Sequence, residues 1–147
     1  MSTPLKRARA AAPYRLDDQI GFLLRLASQR HAAIFQGLIS EELTPTQFAA
    51  IMRVAEHGEL SQNQLGRLTA MDVATIKGVV DRLVKKGLLD LSPDPQDRRR
   101  VTIQLSDKAA AMLEALEEAG HAISRDTLEP LSAEERRTLL RLIQKIT

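Results

Sequence analysis

Apolar residues recur every three or four positions at Leu16, Ile20, Leu23, Leu24, Ala27, Ile34, Phe35 and Leu38. That spacing lines one face of a helix and predicts a long amphipathic helix over residues 16–39. The next segment opens with Thr44-Pro45-Thr46-Gln47. Thr44 can cap, Pro45 suits the first turn and Gln47 closes a capping box. A helix is expected from there to His57, with Gly58 as its stop. Ser61-Gln62-Asn63-Gln64 repeats the capping logic and predicts a short helix to Leu68. A tight turn through Thr69, Ala70 and Met71 follows. Asp72 then caps another helix that runs to Lys86 and stops at Gly87.

The pattern changes after Gly87. Residues 88–91 are a short apolar run of strand type. The segment Ser92-Pro93-Asp94-Pro95-Gln96-Asp97 is turn-rich, and its two prolines exclude helix. Val101–Leu105 alternates with period two, as a strand does. These pieces predict a two-stranded hairpin with a charged tip. Ser106 caps a long helix with an apolar face of Ala109, Met112, Leu113, Leu116, Ile123 and Leu128, broken at Pro130. Ser132-Ala133-Glu134-Glu135 is a further capping box. It opens a last helix with Leu139, Leu140, Leu142, Ile143 and Ile146.

The fold class expected is mainly α with a small β-hairpin wing. A short helix, a tight turn and a second helix make a helix-turn-helix, and the hairpin directly after it makes the unit winged. Residues 44–105 are this lobe. Residues 14–43 and 106–147 are long helices whose apolar stripes exceed what so small a centre can cover. Pairing with the same helices of a second chain solves that problem, so a twofold homodimer is expected.

Charge sharpens this division. The 147 residues carry a net charge of +2. Residues 1–15 hold a balance of +4, and residues 1–13 read as a mobile basic arm. Residues 61–100 hold eight bases against five acids, whereas residues 16–60 and 104–147 are net acidic. The basic centre points to an acidic partner. The basic N-terminus lacks the apolar segment of a secretion signal, because Asp17 and Asp18 interrupt it. No apolar run approaches the roughly 18 residues of a membrane span. Cysteine is absent, which excludes disulfides, thiolate zinc sites and cysteine nucleophiles. A cytoplasmic protein without membrane contact is expected.

The chemistry concentrates in the lobe. The helix after Asp72 presents Asp72, Ala74, Thr75, Lys77 and Gly78 near its N-terminus, short or polar residues that let a backbone approach a DNA groove. Ile76, Val79, Val80, Leu83 and Val84 form its buried side, and Arg82 can reach phosphate. N-terminal residues of such a helix read base edges in the major groove. Gln62, at the start of the short helix, joins this candidate surface. By itself the helix also fits an ordinary core element with solvated charges. The hairpin tip decides between them: Asp97-Arg98-Arg99-Arg100 places three arginines on a turn. Arginine suits narrow minor grooves and grips phosphate in bidentate fashion. Asp97, two residues before Arg99, is expected to hold that side chain in place.

The stretch Asp72-Val73-Ala74-Thr75-Ile76-Lys77-Gly78-Val79-Val80-Asp81-Arg82-Leu83, then Gly87-Leu88-Leu89 and Asp94-Pro95-Gln96-Asp97-Arg98-Arg99-Arg100-Val101, resembles the MarR family of bacterial transcriptional regulators. The likeness runs over residues 16–146. It implies a triangular homodimer joined by the first and last helices, bound to double-stranded DNA at a pseudo-palindromic operator. It implies that the wing arginine, Arg99, enters the minor groove. It also implies a repressor released by a small ligand, often an aromatic acid, bound between the dimerisation helices and the lobe.

For that effector pocket the candidates are Arg25, His31, Phe48, Met52, Arg53 and Met112. Cations in an apolar cleft suit an anionic aromatic. Taken singly, each arginine fits a salt bridge better, and His31 an interface hydrogen bond. The peroxide-sensing branch of the family needs a cysteine and is excluded. The first helix resembles that of regulators of aromatic-acid degradation, some of which answer to the coenzyme A thioester (an acyl-CoA), so either form of effector remains open.

The rival readings are weaker. No G-x-S-x-G, H-E-x-x-H or phosphate-binding glycine loop supports an enzyme. His31, His57 and His121 are scattered, so neither a metal nor a cofactor is expected. A winged-helix dimerisation module that binds a protein partner is the alternative.

Overall fold

The computed structural model describes residues 12–39 and 43–147. Most of the expected basic arm, residues 1–11, lies outside the described residues. A 3-10 turn at Leu16–Asp18 precedes α1 (Ile20–Leu38). The expected helix over 16–39 is therefore divided. Gln19 takes an extended backbone, φ −90° and ψ 134°, and serves as the cap of α1. Its Nε2 donates to the Arg15 carbonyl at 3.0 Å, which ties the turn off locally.

The lobe follows as α2 (Pro45–His57), β1 (Leu60–Ser61), α3 (Gln62–Leu68), α4 (Val73–Lys85), β2 (Leu89–Pro93) and β3 (Val101–Leu105). The chain then forms α5 (Asp107–Thr127) and α6 (Ala133–Ile146). Capping boxes form at Thr44, Ser61 and Ser132, as their sequences predict. Gly58 and Gly87 take φ of 78° and 72°, a left-handed backbone that a Cβ would oppose, and so end α2 and the α4 segment. Leu128 is the C-cap of α5, so that helix ends two residues short of Pro130 rather than at it.

The hairpin is part of a three-stranded antiparallel sheet in the order β1-β3-β2. Sequence pattern misses β1, because two residues carry no periodicity. Leu60 and Leu91 both pair with Ile103, one from each side. β2 runs to Pro93, further than the apolar run at 88–91 suggests. Pro93 is tolerated because β2 is an edge strand, where a missing donor breaks no ladder.

The core sits inside the lobe. Ile51, Val54, Leu65, Ile76, Leu83 and Ile103 are almost wholly buried. Phe35 of α1 closes one side, edge-on to Phe48 of α2 with ring centroids 5.7 Å apart. Ala109, Leu116 and Ile123 of α5 close another. The outer helices differ. α6 has no buried residue, and its Leu140, Leu142 and Ile146 face solvent, as do Ile20, Leu23 and Leu24. No helix among the described residues is long and apolar enough to cross a membrane.

Candidate nucleic-acid interface

α3 and α4 are set by a close contact. A Cβ on the buried Gly66 would meet Cγ2 of Ile76 at 3.2 Å and the Met71 carbonyl at 3.3 Å. The small residue lets the two helices touch. The turn between them is fixed by Met71 N–H donating to the Gly66 carbonyl at 2.9 Å and Thr69 Oγ1 to the Leu65 carbonyl at 2.6 Å. Ala70 takes the left-handed φ of 55° that this turn requires.

α4 buries Ile76, Val79, Val80 and Leu83, and its other face is open. Asp72, Ala74, Thr75, Lys77 and Arg82 are all exposed, with Gly78 half-buried among them. Asp72 caps the helix, its Oδ1 accepting from the Thr75 amide at 2.7 Å. Hydrogen bonds from the Thr75 amide, then its hydroxyl, hold the Asp72 carboxyl below the usual carboxylate range. Lys77 Nζ reaches Asp81 Oδ2 at 2.9 Å, so part of its charge is answered within the helix. A methyl on Gly78 would lie 3.6 Å from Nη1 of Arg82, which shows the guanidinium folded back over the glycine.

The wing tip is ordered by its aspartates. Asp94 Oδ1 accepts from the Gln96 amide at 2.9 Å, and Asp97 Oδ1 from the Arg99 amide at 3.0 Å. The second oxygen of Asp97 faces Arg100 Nε at 3.9 Å. Asp97 therefore holds the Arg99 backbone and the Arg100 side chain, not the Arg99 side chain as the spacing suggests. Two residues of separation favour a turn through the amide, the ordinary behaviour of aspartate in such loops. Arg98, Arg99 and Arg100 all project into solvent.

A groove of about 670 Å³ separates the start of α3 from the wing. Gln62, Asn63 and Arg67 line one wall, and Arg99 and Arg100 the other. The structure thus brings Gln62 to the wing arginines, although Gln62 and Arg99 are far apart in the chain. Arg67 is a basic neighbour that sequence reasoning missed. Its place in the last turn of a short helix gave no periodic signal.

The effector candidates are only partly brought together. Phe48 and Met52 line a cleft of about 490 Å³ between α2 and α5, with Glu56, Leu113, Glu117, His121 and Ser124. The other four candidates lie elsewhere. Arg53 bridges α2 to the end of α3 by donating to the Leu68 carbonyl at 2.9 Å, and pairs with Glu56 at 2.8 Å. His31 Nδ1 lies 2.9 Å from Thr127 Oγ1, beside Arg30, which donates to the Thr127 and Asp126 carbonyls at the end of α5. Met112 packs against the core, and Arg25 is exposed on α1. Three of these side chains are engaged elsewhere: Arg53 at the carbonyl end of α3, His31 at the Thr127 hydroxyl and Met112 against the core. His121 stands in the cleft instead. A signal for it existed. Gly120 interrupts an otherwise good helix, and a Cβ there would meet Phe48 Cζ at 3.1 Å, so the glycine marks where α2 crosses α5. No cluster of metal-ligating side chains occurs among the described residues.

Comparison with known proteins follows the same lines. Residues 43–101 match the model of the MarR family. The chain is 41% identical over 146 residues to the HTH-type transcriptional repressor NicR of Pseudomonas putida, covering 99% of this chain and 92% of that one. A crystal structure of a probable transcriptional regulator from Pseudomonas aeruginosa superposes with a TM-score of 0.88 at 55% identity, covering 90% of this chain and all of that one. BpsR of Bordetella bronchiseptica, whose DNA binding is regulated by 6-hydroxynicotinic acid, superposes with a TM-score of 0.86 at 37% identity, over 92% and 97% of the two chains.

Proposed function

The chain belongs to the MarR family of DNA-binding transcriptional regulators, and from that premise we propose that it is a homodimeric repressor released from its operator by a small aromatic carboxylic acid. The observation that carries the DNA reading is the pairing of an open α4 face with an ordered arginine tip. Thr75 and Lys77 meet base edges in the major groove, Arg82 grips phosphate, and Arg99 enters the adjoining minor groove. The exposed apolar faces of α1 and α6 support the homodimer, because a second copy covers both by one twofold operation.

The effector reading rests on the α2–α5 cleft. Phe48, Met52 and Leu113 offer a flat apolar wall for a ring, and His121 offers a donor for a carboxylate. Glu117 on the rim repels a bare acid but accepts from a ring hydroxyl or N–H, which favours a hydroxylated or heteroaromatic acid. 6-Hydroxynicotinic acid, the regulator of the similar BpsR, is the first compound to test. α2 supports α3 through Arg53 and carries Phe48, so a ligand wedged at Phe48 changes how the lobe sits on α5. DNA needs the two α4 helices about 34 Å apart, one helical turn. The acid acts by binding better to a dimer with another spacing.

The test is release of labelled operator by 6-hydroxynicotinic acid, benzoic acid and benzoyl-coenzyme A, followed by anisotropy. Release by the hydroxylated acid, weakened in His121→Ala, supports the reading. Unchanged operator affinity at saturation with all three compounds overturns it. Release by the thioester alone would transfer the role to the acyl-CoA form.

A further inference from the structure

The large apolar residues left open among the described residues lie on and just before α1, on α6, on α4 and on the wing strands. Most lie on α1 and α6, where one twofold partner covers them. Val73 does not. It is 72% exposed, the most open large aliphatic residue among the described residues, and it stands at the first position of α4. Its neighbours on the same end are the cap Asp72 and the exposed Ala74 and Thr75. Polar or small residues would satisfy the helix start better than a β-branched apolar one, since valine has a lower helix propensity and gains nothing from packing here.

We propose that Val73 is a specificity-determining residue that reads the C5 methyl of a thymine in each half-site. The first turn of α4 is the end that enters the major groove. The thymine methyl is the one apolar group that a base pair displays there, and aliphatic side chains are its natural contact. Asp72 beside it is held as a carboxylate and fixes the local backbone through the Thr75 amide, so the Val73 isopropyl group projects from a rigid position. Burying one methyl against it favours thymine roughly fourfold per half-site.

Deoxyuridine differs from thymidine by that methyl alone, which makes the test direct. The full chain first selects its consensus duplex from a randomised pool. Each thymine of the consensus is then replaced by deoxyuridine, symmetrically in both half-sites, and affinity is measured by anisotropy. One position is expected to lose roughly fifteenfold in the dimer complex. Val73→Ala should bind the thymine and deoxyuridine duplexes equally at that position, with a thermal midpoint no lower than the native one, and Val73→Thr should keep part of the preference. No thymine-dependent loss in the native protein overturns the proposal whatever the variants do. A loss of equal size in Val73→Ala also overturns it, since the effect then lies in duplex shape. The proposal rests on DNA reading by α4. If no consensus emerges at all, that reading fails too, whereas a consensus indifferent to the methyl removes Val73 alone.

Discussion

The lobe and the outer helices solve the same problem in opposite ways. α2 to β3 bury their apolar residues against one another and against α5, so Ile51, Leu65, Ile76 and Ile103 see almost no solvent. α6 is just as amphipathic in sequence, yet buries nothing: Leu140 is 49% exposed and Ile146 67%. One region is complete within a single chain, and the other leaves an apolar face open for the proposed second copy to cover. The contrast separates two jobs. A reading surface needs a rigid base of its own, and the spacing between two such surfaces must be adjustable.

This contrast can be broken at either end. Ile76→Ala removes a core side chain shared by α3 and α4 and should cost about 2–5 kcal/mol. Urea denaturation would show that loss together with loss of operator binding. Leu140→Glu puts a charge on the open face of α6. It should weaken dimerisation by on the order of 30-fold or more, read by sedimentation, while the fold of the lobe survives. Equal unfolding in both variants would erase the distinction. Arg99→Ala touches neither core nor open apolar face. It should lower operator affinity about tenfold with no change in thermal midpoint, and equal affinity would remove Arg99 from the minor groove.

The smallest effect concerns the caps. Hydrogen bonds from the Ser132 amide and hydroxyl hold the Glu135 carboxyl below its usual range, as those from Thr75 do for Asp72. Both groups have depressed values in the fold. Their contribution to stability is therefore present above the ordinary carboxylate value near pH 4 and is lost as pH falls through the lower folded value. Thermal midpoints should decline below about pH 4. Asp72→Asn should flatten that decline in the lobe, and Glu135→Gln in α6.

Much of this architecture was legible in the sequence because capping residues and period mark it twice. Thr44, Ser61, Asp72, Ser106 and Ser132 all cap where expected. The features missed lack such marks. β1 is two residues long and exists only through its pairing with the distant β3, Leu60 with Ile103 and Ser61 with Thr102. The break at Gln19 is local hydrogen bonding inside a continuous apolar pattern. At the candidate interface the exposure of the α4 face and of the arginine tip was legible, since charged and small residues favour solvent. The cleft was not. Arg53 and His31 sit on the right helices, but free carbonyls at the ends of α3 and α5 claim Arg53 and the neighbouring Arg30, and Thr127 claims His31. Which partner a long side chain takes is settled by tertiary neighbours, not by its position along the chain.

The central claim is that the reading lobe works as one of a pair. Sedimentation equilibrium of the full chain, alone and with its labelled consensus duplex, tests it most directly. A mass of twice 16.3 kDa for the free protein, and two chains per duplex in the complex, is the predicted result. A 16.3 kDa species that binds one duplex with full affinity and sequence preference would contradict it.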